Sequence, residues 1–158
     1  MVSFILFLSG FVMPKVSQQQ AKITRQRIID CALEIILSSG IESLTFSNLA
    51  KKAEIGRSTI NGHFSKKNDL LMALQPRLVS ILDENLCFEC ADDFYSSWVH
   101  AIKSNQEFRQ TIKTMEAFFD NDTGISGLMR RFPSPNEETE KAIYTAMGYA
   151  IVHLPKYT

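Results

Sequence analysis

The run Thr45–Leu71, TFSNLAKKAEIGRSTINGHFSKKNDLL, leaves room for very few local arrangements. Phe46, Leu49, Ala50 and Ala53 recur at i, i+3, i+4 and i+7, the buried stripe of one amphipathic helix. Thr45 stands just ahead of that stripe, where a side-chain oxygen can accept from the free N–H groups of the first turn. Glu54-Ile55-Gly56 is long enough for a turn and nothing more. Ile60 and Phe64 follow four apart and pin a second short helix along one edge. Its other positions, Arg57, Ser58, Thr59, Asn61 and His63, are polar and are expected to face away. Two short helices meeting steeply, the second offering hydrogen-bonding side chains, make helix-turn-helix geometry, and the second helix fits a DNA major groove.

At these residues the chain resembles the TetR family of transcriptional regulators, over roughly Ile23 to Leu74. The motifs that carry the resemblance are A-x-x-A-x-I from Ala50 to Ile55 and S-T-I-x-x-H-F-x-x-K-x-x-L from Ser58 to Leu70, behind a leading helix. Three positions depart from the family pattern. Glu54 stands where the family often has Gly, Gly56 replaces a Ser or Thr cap, and Asn61 stands where a Tyr usually contacts a phosphate. Gly is an acceptable N-cap, and Asn61 keeps a side chain able to bond a phosphate or an adenine edge.

The resemblance implies an all-α fold, with an N-terminal three-helix helix-turn-helix DNA-binding domain followed by a short helical regulatory and dimerisation domain. It implies a cytoplasmic homodimer on double-stranded DNA with a palindromic operator, acting as a repressor that a small-molecule effector releases, without a cofactor. Matched residue by residue, Ser47, Arg57, Ser58 and Thr59 face base edges, while Thr45, Asn61, His63 and Lys67 hold phosphates. Arg57 is the strongest guanine reader, because a guanidinium can bond O6 and N7 together.

The 158 residues can hold one moderate core, or a small head with a second helical unit behind it. Net charge is zero, yet residues 1–75 carry 9 Lys plus Arg against 5 Asp plus Glu, and residues 76–158 carry 8 against 12. A front of +4 and a rear of −4 suit a protein that meets DNA with one end. Three cysteines, an odd number without a framework, point to a reducing compartment.

In chain order, the sequence divides into an apolar leader and polar arm (1–20), the helix-turn-helix domain (21–75) and a helical ligand-binding and dimerisation domain (76–158). Val2–Met13 is too short to span a bilayer, and Met13 reads as the natural start, leaving the leader extraneous and the chain without a membrane association. The leading helix begins at Ile23, buries Ile29, Ala32, Leu33, Ile36 and Leu37, and closes at Gly40, a position that tolerates positive φ. Lys22, Arg25 and Arg27 crowd its start, where a solvated basic face and a phosphate contact are equally open readings. Asn68 or Asp69 caps the next helix, which Pro76 either kinks or divides.

Cys87-Phe88-Glu89-Cys90 has C-x-x-C spacing, but no second ligand pair accompanies it, so it reads as helix-end packing without a metal. Asp92 or Asp93 caps a helix burying Phe94, Trp98, Ala101 and Ile102. The next shows Phe108, Ile112, Met115 and Phe119 in register, with Phe118 beside them. Trp98, Phe108, Ile112, Met115 and Phe119 are the candidate effector-binding residues, against the plainer reading of an ordinary core. Asp120–Gly124 reads as a turn, and Ile125, Leu128, Met129 and Phe132 as a short helix before Pro133. The last helix shows an apolar stripe of Ile143, Met147, Ile151 and Leu154. Beside it run Ala142, Ala146 and Ala150, a candidate dimer seam or a close contact within the monomer. The family's body usually ends in two helices per subunit, whereas one long helix follows the Pro133–Pro135 break here, so this half reads as shortened.

No nucleophile–base–acid set, Gly-rich phosphate loop or catalytic carboxylate pair emerges, which sets an enzyme aside. The competing reading is a degenerate helical relative that acts as an interaction or ligand-binding protein without specific DNA binding.

Overall fold

The computed structural model describes residues 15–116 and 121–157, with side chains described at 17–115 and 124–157. The leader, Phe118, Phe119 and Asp120 of the sequence analysis lie outside the described residues. Among the described residues there are eight α-helices and no strand. They are α1 (Lys15–Ser39), α2 (Phe46–Ala53), α3 (Arg57–His63), α4 (Lys67–Asn85), α5 (Ala91–Ser104), α6 (Gln106–Glu116), α7 (Asn121–Met129) and α8 (Glu137–His153). Short 3-10 turns occupy Ile41–Ser43 and Leu154–Tyr157.

α1 starts eight residues ahead of the expected Ile23, because the polar run before it contains no helix breaker. Its buried face adds Ile28 and Ile35 to the predicted Ile29, Ala32, Leu33 and Ile36, while Leu37 is half-buried. Gly40 ends it at φ 81, as its sequence position requires. Any side chain here would be strained by the positive φ, and its Cβ would sit 3.3 Å from Gln110 Oε1 of α6. Leu44, Leu49, Ile60, Phe64, Leu70 and Leu74 close over α1 to make the core of the head.

α4 decides between alternatives that the sequence leaves open at two points. It begins at Lys67, and Asp69 caps it from inside the first turn by accepting the Lys66 backbone N–H at 3.1 Å. The Ser65 hydroxyl donates to the same carboxylate at 2.8 Å, so an acid at the third helical position satisfies the loop on both sides. Pro76 does not divide the helix, which runs unbroken to Asn85. The lost donor falls opposite the carbonyl of exposed Met72, where water can take its place. The 75/76 boundary therefore lies inside one continuous helix. Buried Leu70, Leu71, Leu74, Leu78 and Leu82 carry a single core from the head into the body.

In the body α5 buries Phe94, Trp98, Ala101 and Ile102 as its spacing predicts. Phe94 lies at the centre of an aromatic group, with ring centroids 5.4 Å from Phe88, 5.3 Å from Phe132 and 5.8 Å from Trp98. The α5 cap is Cys90, not Asp92 or Asp93: its Sγ accepts the Asp93 N–H at 3.5 Å and its thiol donates to the Asp93 carboxylate at 3.2 Å. Asn121–Gly124 is the first turn of α7 rather than a loop. α7 ends at Met129, and Phe132 is buried from the turn beyond it.

α8 opens with a reciprocal cap in which Asn136 Oδ1 accepts the Thr139 N–H at 3.0 Å and Thr139 Oγ1 accepts the Asn136 N–H at 2.8 Å. Its buried stripe is Ile143, Ala146, Ala150 and Leu154, packed against α5. The alanine seam thus serves the monomer, because small residues let two helices approach closely. Ile151, which the sequence places on the same apolar stripe as Ile143 and Leu154, is 74% exposed. Truncation of Phe94 to Ala is expected to cost about 3–5 kcal/mol, measured as a lower urea midpoint at unchanged slope.

Candidate nucleic-acid interface

The interface is built from the starts of α2, α3 and α4. Thr45, extended at φ −115, caps α2 by accepting the Asn48 N–H at 3.1 Å, as its place in the sequence predicts. That bond uses an oxygen lone pair and leaves the hydroxyl proton free for an acceptor outside the protein. Glu54 ends α2 in the left-handed region at φ 52, the conformation for which the family pattern favours Gly. Gly56 caps α3 at φ −67 and ψ 144, ordinary extended backbone that any residue can adopt.

α3 hangs from two residues. Ile60 is 0% exposed and Phe64 1% exposed, both within the head core. Arg57, Ser58, Thr59 and Asn61 are exposed on the other side, Ser47 of α2 is also exposed, and His63 is half-buried. The polar residues of α3 thus form the outward surface that the sequence analysis expects.

A shallow depression of ≈ 330 Å³ lies between the three helix starts, lined by Leu44, Thr45, Phe46, Arg57, Ser65, Lys66 and Lys67. It brings together three of the predicted residues, Thr45, Arg57 and Lys67, and adds Ser65 and Lys66, which the sequence analysis did not assign. Lys66 was detectable as the neighbour of Lys67, while Ser65 acquires its place only through its bond to Asp69. Three cations and the positive ends of α2 and α4 converge there, a setting that favours an anion, while the Asp69 carboxylate adjoins it through its bonds to Ser65 and the Lys66 N–H. Lys67 Nζ donates to the Ile41 carbonyl at 3.2 Å, which holds the ammonium at the rim. Ser47, Ser58, Thr59, Asn61 and His63 lie outside the depression.

α1 packs against the elements that carry this surface. Arg27 pairs with Glu54 at 3.2 Å, Lys52 with Glu34 at 2.8 Å, and the Arg25 guanidinium lies 4.2 Å from the centre of the Phe64 ring. The hydrogen bond from Lys52 to Glu34 holds the lysine in its charged form above the ordinary lysine range. Burial, then the Glu34 charge, pushes the Cys31 thiol up, which keeps it protonated and unreactive.

Of the candidate effector residues, Trp98, Phe108 and Met115 are buried in the body core, Ile112 is half-buried, and Phe119 lies outside the described residues. Trp98 and Phe108 meet edge to face at 5.5 Å. Trp98 Nε1 and Thr111 Oγ1 are buried without a hydrogen-bond partner. Thr111 is a residue that apolar periodicity could not single out. An unpaired buried donor costs about 1–3 kcal/mol. Among the described residues no group of three or more His, Cys, Asp or Glu could hold a metal, and the three cysteines are free.

Residues 28–74 match the family described as bacterial regulatory proteins, tetR family. The chain is 39% identical over 62 residues to the uncharacterized HTH-type transcriptional regulator TtgW of Pseudomonas putida, which is 39% of this chain and 46% of that one. It is 38% identical over 58 residues to the HTH-type transcriptional regulator AcrR of Shigella flexneri, 37% of this chain and 27% of that one. It is 37% identical over 60 residues to the tetracycline repressor protein class D of Escherichia coli, 38% of this chain and 28% of that one. The matched stretch spans less than half the length of each of these relatives.

Glu54 links the interface to backbone strain. A side chain in the left-handed region costs about 1 kcal/mol, and an exposed ion pair such as Arg27–Glu54 returns only a fraction of that. Glu54→Gly is therefore expected to raise stability by up to ~1 kcal/mol, read as a higher urea midpoint. A lower midpoint would assign the ion pair the larger share.

Proposed function

From residues 28–74, a helix-turn-helix domain of the TetR family, we infer that the chain is a DNA-binding transcriptional regulator that represses from a palindromic operator and is released by a small ligand. One observation carries the reading: a polar face on α3 is held outward by Ile60 and Phe64, beside a cationic depression at the starts of three helices. That a tetracycline repressor is among the relatives favours repression as the sense of regulation.

In this reading α3 enters the major groove. Arg57, at its first turn, bonds guanine O6 and N7 together, while Ser47, Ser58 and Thr59 take neighbouring base edges. Thr45, Lys67 and Lys66 seat a backbone phosphate in the depression, and Asn61 and His63 hold the backbone on the other flank. The side-chain amide of Asn61 can donate to a phosphate oxygen.

Two copies must then present their α3 helices about 34–36 Å apart to occupy successive grooves. Tyr144, Gly148, Ile151 and Val152 make one exposed stripe on α8, with Ile151 at 74% and Val152 at 61% exposure. This stripe, not the buried alanine seam, is the surface we assign to the homodimer. The effector belongs between α5 and α6, where Trp98 Nε1 and Thr111 Oγ1 have spare hydrogen-bonding capacity. An apolar ligand with an acceptor group would satisfy them and shift the population of α4 positions. The protein would work in the cytoplasm; no helix among the described residues is long and apolar enough to cross a membrane.

Selection of bound fragments from genomic DNA, followed by titration at two salt concentrations, tests the regulator reading. A steep loss of affinity with salt is expected, and an absent salt dependence would favour the helical interaction protein without DNA binding. Arg57→Ala should abolish preference for the selected fragment and leave weak, salt-sensitive binding; equal loss on selected and random DNA contradicts the role given to Arg57. Ile151→Asp should convert a dimer to monomers in sedimentation while leaving the helical circular dichroism unchanged.

A further inference from the structure

α1 is longer than its packing requires. Its first fully buried residue is Ile28, yet the helix begins at Lys15, so a rod of roughly 20 Å precedes the core at 1.5 Å per residue. Residues 17–23 and 25–27 on it are exposed. No Asp or Glu precedes Asp30 in the sequence, so the rod carries no acid of its own, and its Arg27 pairs with Glu54 from the turn after α2.

The acids around its base are each already paired, two of them with Arg27 and Gln26 of the rod itself. Glu54 takes Arg27, Glu34 takes Lys52, and Asp30 takes Arg77 at 3.3 Å and Gln26 at 2.9 Å. Lys22 has no ion-pair partner among the described residues, and Arg25 has only an aromatic one. Gln18, Lys22 and Arg25 are spaced four and three apart, which puts them on one face of the helix. That face ends on a specific residue: the Arg25 guanidinium lies 4.2 Å from the centre of the Phe64 ring, and Phe64 closes α3. The basic face of α1 is therefore continuous with the far end of the outward helix, whereas Arg57 and the depression it lines lie at the start of that helix.

We propose that the Gln18–Lys22–Arg25 face of α1 is a second DNA-contact element, which grips the phosphate backbone beyond the C-terminal end of α3. It rests on the reading of α3 as a major-groove helix. Lys22 supplies a mobile ammonium to one phosphate. Arg25, held by the Phe64 ring, presents a planar guanidinium to the next, and Gln18 donates an amide N–H further along. None of these contacts reads a base. The element adds affinity without sequence preference and extends the protected length of duplex on one side of each half-site.

The test uses the full chain and a mixed-sequence duplex of about four helical turns (~40 bp), with affinity followed by fluorescence anisotropy across a salt series. Each phosphate contact contributes ~0.9 to the slope of log K against log salt. Lys22→Gln should lower the slope by ~0.9, and Lys22→Gln with Arg25→Gln by ~1.8, while Lys22→Arg restores it. Lys22 is exposed, so an unchanged melting temperature keeps the single variant interpretable. A slope unchanged by Lys22→Gln overturns the proposal. If the wild-type protein binds this duplex steeply with salt and only the variants fail to alter the slope, α1 is excluded and α3 stands. If the wild type shows no salt dependence, the DNA reading fails and this element fails with it.

Discussion

Burial of Ile60 and Phe64 beneath α3 is the contact on which the outward surface depends. A seven-residue helix is too short to persist alone in water, since the cost of its first turn is not recovered over so few hydrogen bonds. Its conformation is borrowed from the core. Two apolar anchors four apart fix both its position and its rotation, and its polar side chains are left facing outward. The polar face is therefore presented without being stabilised for its own sake, which leaves the identities of Arg57, Ser58, Thr59 and Asn61 free to suit a partner. The packing of Arg25 on the Phe64 ring adds a second hold from α1.

The same core passes into the body through α4. Its leucines are buried from Leu70 to Leu82, and side chains along it tie it to neighbouring elements at several places. Arg77 reaches Asp30 of α1 at 3.3 Å, and Arg131, beyond α7, pairs with Asp83 at 2.6 Å while also donating to the Gly127 carbonyl at 2.9 Å. Asn85 near the end of α4 accepts from the Asn105 amide at 2.9 Å, and Asn105 in turn caps α6 through the Phe108 N–H. These bonds tie the start of α6 to the last turn of α4, and α4 to α1. Pro76 directly precedes the tie at Arg77, and its one missing backbone bond makes bending cheaper there than elsewhere along the helix.

Sequence pattern was informative where one force dominated. The i, i+3, i+4, i+7 stripes located α2, α5 and the core face of α1, and Thr45 and Gly40 marked helix ends because backbone geometry admits few alternatives there. It failed where two solutions were close in energy. α8 carries apolar residues around most of its circumference, so Ile143 and Leu154 could be paired with either Ile151 or the alanines. The decision came from α5, which approaches closely enough to require Ala146 and Ala150. The cap of α5 was missed because a thiol is a weak acceptor, yet Cys90 with Asp93 completes the turn. The unpaired Trp98 Nε1 and Thr111 Oγ1 could not be read from the sequence at all, since an absence of partners is a property of three-dimensional packing.

The departures at the turn illustrate how the site tolerates its own sequence. Glu54 accepts a left-handed backbone that Gly would adopt freely, and its carboxylate ties the turn to Arg27 of α1. Gly56 gives up a side-chain cap, but the carbonyl of Gly56 still receives the Thr59 and Ile60 N–H groups at 3.0 and 3.3 Å. Both changes weaken the local preference for a helix-turn-helix while the global packing retains it. The head therefore relies on anchors rather than on turn chemistry. A substitution that loosens Ile60 or Phe64 would disturb α3 more than any substitution within the turn itself.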